Sequence, residues 1–189
     1  MRPRDMVLAI IVQCAERPEF GRTSLQKLAY LAGLRLSVDL GHRAHFFGPY
    51  SSAVEADTDA LAMSGLVEES VQVLGVNAQG RPIRSYSYKV TDDGQQEYEQ
   101  IAAESPQEVQ QLTTLLAQIE KVIGSFDQQV LSAAAKVLYI AREQDRPVDF
   151  DEIGGLALEH GWKVNKYQVQ RVAAVLVQLG FAKVTGGGN

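Results

Sequence analysis

One short pattern occurs twice in this chain and limits its fold more than any other feature. A helix-patterned run ends in Ala62-Met63-Ser64-Gly65-Leu66-Val67-Glu68-Glu69, and another ends in Val177-Gln178-Leu179-Gly180-Phe181-Ala182-Lys183-Val184. In each, a helix stops at glycine, the residue that takes a left-handed backbone without strain, and a strand-like stretch follows at once. That is the junction between the third helix and the wing of a winged helix-turn-helix unit. Two junctions predict two units. The expected fold is mainly α with small β-hairpin wings (α+β), two winged helix-turn-helix modules joined by a helical segment. The expected divisions are a first module over 1–91 with an acidic third helix, a helical connector over 92–124, a second module over 125–185 and a flexible tail over 186–189. Each module is large enough to bury a core of its own.

Apolar spacing predicts a first helix over 4–17, with Met6, Val7, Ile10, Ile11 and Cys14 on one face and Pro18 as its stop. A second over 23–36 turns Leu25, Leu28, Ala29, Leu31 and Ala32 inward. A short strand over 44–47 and a Gly48-Pro49 turn lead to a third helix, for which Ser52 and Glu55 form a capping box. Strands over 66–76 and 83–90 flank a turn-rich loop and make the first wing. Thr91 caps an exit helix. Ser105-Pro106-Gln107-Glu108 combines a cap, a first-turn proline and a reciprocal glutamate. The helix it opens carries Val109, Leu112, Leu116, Ile119 and Ile123 at steps of three and four, and Gly124 closes it. Such a seam either packs along one module or joins two copies as a dimer.

In the second module Asp127 caps a helix to residue 142, Asp149 with Glu152 caps the next, and Asn165 with Gln168 opens the third. A tight turn over 160–164 separates the last two, the spacing a helix-turn-helix needs. The tail Gly186-Gly187-Gly188 is expected to be disordered.

Charge separates the two modules. From His160 onward there are four basic residues, Lys163, Lys166, Arg171 and Lys183, and no acidic one. With a net charge of -5 overall, that +4 end sits on a body of -9. A basic end on an acidic body favours oriented, salt-dependent docking against phosphate. The third helix of the second module offers Asn165, Lys166, Gln168 and Arg171, residue types that hydrogen-bond base edges or grip phosphates in a major groove. Lys163 and Lys183 are the candidate phosphate holders. The same residues also suit a solvated face or a protein contact. The stretch 51–70 instead holds Glu55, Asp57, Asp59, Glu68 and Glu69 with no base, and would be repelled from DNA. Its wing carries Arg81, Arg84 and Lys89 and no acid, so these three either touch phosphate or pair with the acidic helix.

At Leu25-Gln26-Lys27-Leu28-Ala29-Tyr30-Leu31, then Phe46-Phe47-Gly48-Pro49-Tyr50-Ser51 and the stretch 61–69, the chain resembles the Panacea family of bacterial proteins. The likeness covers about a third of the chain, all in the first module. It implies a link to toxin–antitoxin systems or to adaptor roles in proteolysis, and so a protein-binding first module. Tyr50, Glu55, Asp57 and Asp59 are the candidate contacts on that surface, although a tyrosine at this place also serves as a cover for the core edge.

Little points to catalysis. The single Cys14 lies on an apolar helix face and reads as a small buried hydrophobe, and it excludes an internal disulfide. His42 and His45 have no cysteine nearby and Asp39 alone to help, too few for a metal site. His160 stands at a helix end, where its charged form suits the dipole. Ser51 and Ser52 lack a nucleophile elbow, and Gly75 and Gly80 belong to the hairpin and not to a phosphate-cradling loop. No catalytic residue, metal or cofactor is expected. With no leader pattern and no apolar run of membrane-spanning length, the expectation is a cytoplasmic protein, homodimeric, with DNA as partner. The alternative is an antitoxin-like or adaptor protein that binds another protein through its N-terminal module.

Overall fold

The computed structural model describes residues 1–18, 20–124, 127–144 and 146–182, with the backbone alone at Phe150. Within them the chain runs α1 (Pro3–Cys14), α2 (Arg22–Leu36), α3 (Ser52–Met63), β1 (Val67–Val76), β2 (Pro82–Val90), α4 (Asp92–Glu104), α5 (Pro106–Ile123), α6 (Gln128–Glu143), α7 (Phe150–Glu159) and α8 (Lys166–Gln178). The described chain is mainly helical, with one small two-stranded antiparallel sheet, an α+β arrangement. No helix in it is long and apolar enough to cross a membrane.

The core is built around α1. Its residues 5–11 are all buried because α2, α3, α4, α5 and β2 pack around it, as expected of a helix apolar on every side. Asp5 is tolerated there because Arg2 holds it at 2.9 Å. On the far side α6 packs against α2 and also against α7 and α8, and α5 touches α8. One apolar cluster therefore runs from Met6 to Leu179. The seam residues Val109, Leu112, Leu116, Ile119 and Ile123 are buried by the chain itself, so a dimer would have to use another surface.

Several local expectations are corrected. The first helix ends at Cys14, not at residue 17, because Arg17 turns away to pair with Glu120 on α5 at 2.9 Å. Residues 44–47 form no strand, since Gly48, at φ +103, folds the loop back and leaves a single bridge between Arg43 and Tyr50. The cap of α3 is Ser51, whose hydroxyl accepts the Val54 N–H at 3.1 Å, and Ser52 is the first helical residue. Glu55 makes no reciprocal bond, because the cap at Ser51 puts Val54 in the reciprocal position, and its carboxylate meets Tyr50 and Arg22 instead. Ser105 likewise gives α5 no side-chain cap, and Glu108 meets the N-terminal amine at 3.4 Å instead. Each carboxylate thus takes a charged or phenolic donor, the stronger charge-assisted bond.

The remaining caps match the sequence. Thr91 accepts the Gly94 N–H at 3.0 Å, Asp127 accepts those of Gln129 and Val130, and the Asp149–Glu152 and Asn165–Gln168 boxes are complete. The hairpin pairs Val67 with Val90 through Val76 with Pro82, broken by a bulge between Val73 and Gly75. Val67 and Tyr88 are buried at its base, while Val71, Val73, Leu74 and Val76 on the projecting arm are exposed. The two glycine stops match, with Gly65 at φ +74 and Gly180 at φ +71. After the second, Phe181 and Ala182 form no strand, and the rest of the second wing, Lys183 and the glycine tail lie outside the described residues.

Candidate nucleic-acid interface

The turn between α7 and α8 is anchored from below. Trp162 is 1 % exposed, and its indole N–H donates to the His45 carbonyl at 2.7 Å, which ties this turn to the loop before α3. His160 stacks on the Trp162 ring at 4.9 Å and pairs with Glu143 at 2.9 Å. Val169, Val172, Ala173, Val175 and Leu176 bury the inner face of α8. Its outer face leaves Asn165, Lys166, Gln168 and Arg171 exposed, together with Tyr167, a residue the charge argument overlooked.

Local bonds narrow what these side chains can offer. The carboxamide oxygens of Asn165 and Gln168 each accept the other's backbone N–H, at 2.9 and 3.1 Å, which leaves their NH2 groups as donors. Lys166 meets Asp151 at 2.7 Å, and that hydrogen bond raises its pKa. Both partners are exposed, so the pair is weak and a phosphate can replace Asp151.

The β-hairpin and the turn between α7 and α8 border a trough made of two adjoining hollows, which share Thr23, Gln128 and Gln129. Arg84 lines its β2 side, Lys163 and Gln168 its α8 side, and Thr23, Gln128 and Gln129 lie along its length between them. Lys136 of α6 lines it too. Among the described residues Asp127 is the only acid in the lining, and it is turned onto the first amides of α6. Arg81 stands apart in the exposed hairpin loop, and Lys89 pairs with Glu68 at 3.6 Å.

The carboxylates of α3 find their cation on α2, while Lys89 of the hairpin meets Glu68 of the same acidic stretch. Arg22 of α2 meets Glu69 and Asp59 at 2.8 Å and Glu55 at 3.4 Å, and its guanidinium lies 4.8 Å above the Tyr86 ring. Tyr50 donates its hydroxyl to Glu55, and burial, then that contact, push its pKa up to about 12. Tyr50, Glu55 and Asp59 are thus engaged within the chain, while Asp57 faces the Arg4 side, its pKa raised by burial. Five acids without a base over 51–70 were the signal that a distant arginine had to serve them.

His42 and His45 diverge. The first faces the Gln26 carbonyl at 3.3 Å, and the second packs against Phe47 and Tyr50. Cys14 is fully buried, and desolvation pushes its thiol up to about 12. No protein-family model matches this chain, and no curated protein matches it.

Proposed function

We propose that the chain is a DNA-binding transcriptional regulator with tandem winged helix modules, its C-terminal module reading DNA through α8. On this reading it acts as a cytoplasmic homodimer, without cofactor or catalysis. The observation that carries the proposal is the trough, in which Arg84 from one module and Lys163 and Gln168 from the other line adjoining hollows whose lining, among the described residues, includes Asp127 as its only acid. A phosphate backbone is the ligand that such spaced cations suit. Arg171 and the free carboxamide donors of Asn165 and Gln168 are placed to meet base edges, while Lys163, Lys166 and Arg84 hold phosphates. Lys183 extends the basic set along the chain, and Arg81 the hairpin loop.

Binding to own-promoter and random DNA fragments at two salt concentrations tests this reading. Promoter binding should exceed the random control, and Lys163→Ala and Arg84→Ala should each lower the salt slope by about one. Arg171→Ala should relax specificity, at a cost of about 1–3 kcal/mol. No binding at low salt, or unchanged binding in all three variants, would overturn it.

The adaptor reading retains one observation in its favour. Phe46 and Phe47 are 72 % and 61 % exposed beside the Gly48-Pro49 turn, and Met63 is 89 % exposed at the end of α3, apolar surface of the kind a protein partner covers. That surface replaces the set Tyr50, Glu55 and Asp59.

A further inference from the structure

Lys27 lies in the interior of α2 and is 2 % exposed. Its ammonium donates to the Pro49 carbonyl at 2.7 Å, and among the described residues no carboxylate pairs with it. A buried charge with one neutral acceptor is costly, and here desolvation, then the neighbouring Lys136, lower its pKa to about 8. At neutral pH it is still mostly charged. Gly48 is wedged between the two lysines, since a Cβ there would press on carbons of both at 3.2–3.3 Å. Among the described residues, two cations thus flank one loop with no carboxylate paired to either.

A second donor opens on the same space. Lys27 lines a cavity of about 110 Å³ beneath Phe47, and Tyr88 of β2 lines it as well. The Tyr88 hydroxyl is buried and makes at most a long contact to Glu69, a carboxylate already held by Arg22 at 2.8 Å, an unfavourable state for a phenol. The wall is otherwise mostly apolar, with Leu25 and Phe47 prominent, and Arg22 on its rim is already held by Glu55, Asp59 and Glu69, so the charge of an anionic ligand falls to Lys27. A closed dry cavity of about 150 Å³ accepts benzene, and this one, smaller but open to solvent on one side, takes a molecule of up to about six non-hydrogen atoms with one end at its mouth.

We propose that this cavity binds a small aliphatic monocarboxylate, whose two oxygens take the protons of the Lys27 ammonium and the Tyr88 hydroxyl while its short chain contacts Leu25 and Phe47. One negative charge and two acceptor oxygens match what the wall lacks. Phosphate would bring a second charge and further oxygens that the apolar wall cannot satisfy. The site goes beyond the DNA-binding reading and does not depend on it.

Butyrate is the probe, titrated against the full chain without DNA. Trp162, the sole tryptophan, reports through its bond to His45 in the loop covering the cavity, and thermal unfolding gives a second readout. Saturable binding of butyrate is expected, with the neutral isostere butyramide and inorganic phosphate each weaker by about tenfold or more, a difference set by the charge-assisted contact. Tyr88→Phe should weaken butyrate several-fold without lowering Tm, because it removes a hydroxyl that has no well-formed hydrogen bond in the free protein. Lys27→Met should weaken it by about tenfold or more. Absence of saturable binding, butyramide or phosphate binding as tightly as butyrate, or wild-type affinity in Tyr88→Phe would each overturn the proposal. Because butyramide tests the charge on the unaltered protein, that outcome stands even if Lys27→Met fails to fold.

Discussion

His42 shows what burial does to one side chain. It sits against the Tyr30 ring with its Nε2 facing the Gln26 carbonyl, and desolvation brings its pKa down to about 4. Gln26 and Asp39 oppose that shift and Lys27 assists it. The folded ring is therefore neutral at pH values where the unfolded one, near 6.5, takes up a proton. Stability from this group is complete above about 6.5 and is lost as the pH falls toward 4. Between pH 7 and pH 5 the loss should be up to about 2 kcal/mol. Urea unfolding of the wild type and of His42→Phe at both pH values measures it: the variant should lose less on acidification, and equal losses would remove His42 as the source. The burial of Cys14 was legible from its apolar spacing. That of Lys27 was within reach of the same spacing, since Ser24 and Leu31 lie three before and four after it on one helix face and both are buried. A charge is normally read as outward, and here it is not.

At the scale of elements, most caps hold even against competitors. Asp127, Asp149, Asn165 and Thr91 cap as their sequences predict, and the Asp149 box stays complete although Arg146 also holds Glu152 at 2.8 Å. At Glu55 and Glu108 a cation from far along the chain takes the carboxylate. The hairpin joins the helices through a tighter constraint. Gly94 in the first turn of α4 lies so close to the Leu66 carbonyl that an added Cβ would overlap it, and the hydroxyl of Thr91 donates to that same carbonyl. Backbone against backbone leaves no flexible side chain to yield, so Gly94→Ala should destabilise the fold by about 2–4 kcal/mol. A Tm unchanged from wild type would mean that β1 and α4 can separate without loss.

For the whole molecule, the consequence of one continuous core is cooperative unfolding. The N-terminal and C-terminal halves meet through α2 and α6 and through the bond from Trp162 to His45. Helix loss by circular dichroism and Trp162 fluorescence should therefore follow one transition with a common midpoint, and two separated midpoints would show modules that unfold apart. The sequence by itself determined where the helices lie, most of their caps and both glycine stops, because those depend on interactions within four or five residues. It also placed the exposed polar face of α8, which follows from helical spacing alone. Tertiary structure alone decided which charges pair, since Arg22 reaches Glu55, Asp59 and Glu69 across 33, 37 and 47 positions of the chain. It alone brought Arg84 of β2 and Lys163 of the turn before α8 to adjoining hollows, and enclosed Lys27 and Tyr88 around one cavity. Electrostatic partnership is set by distance through space, and no local pattern carries it.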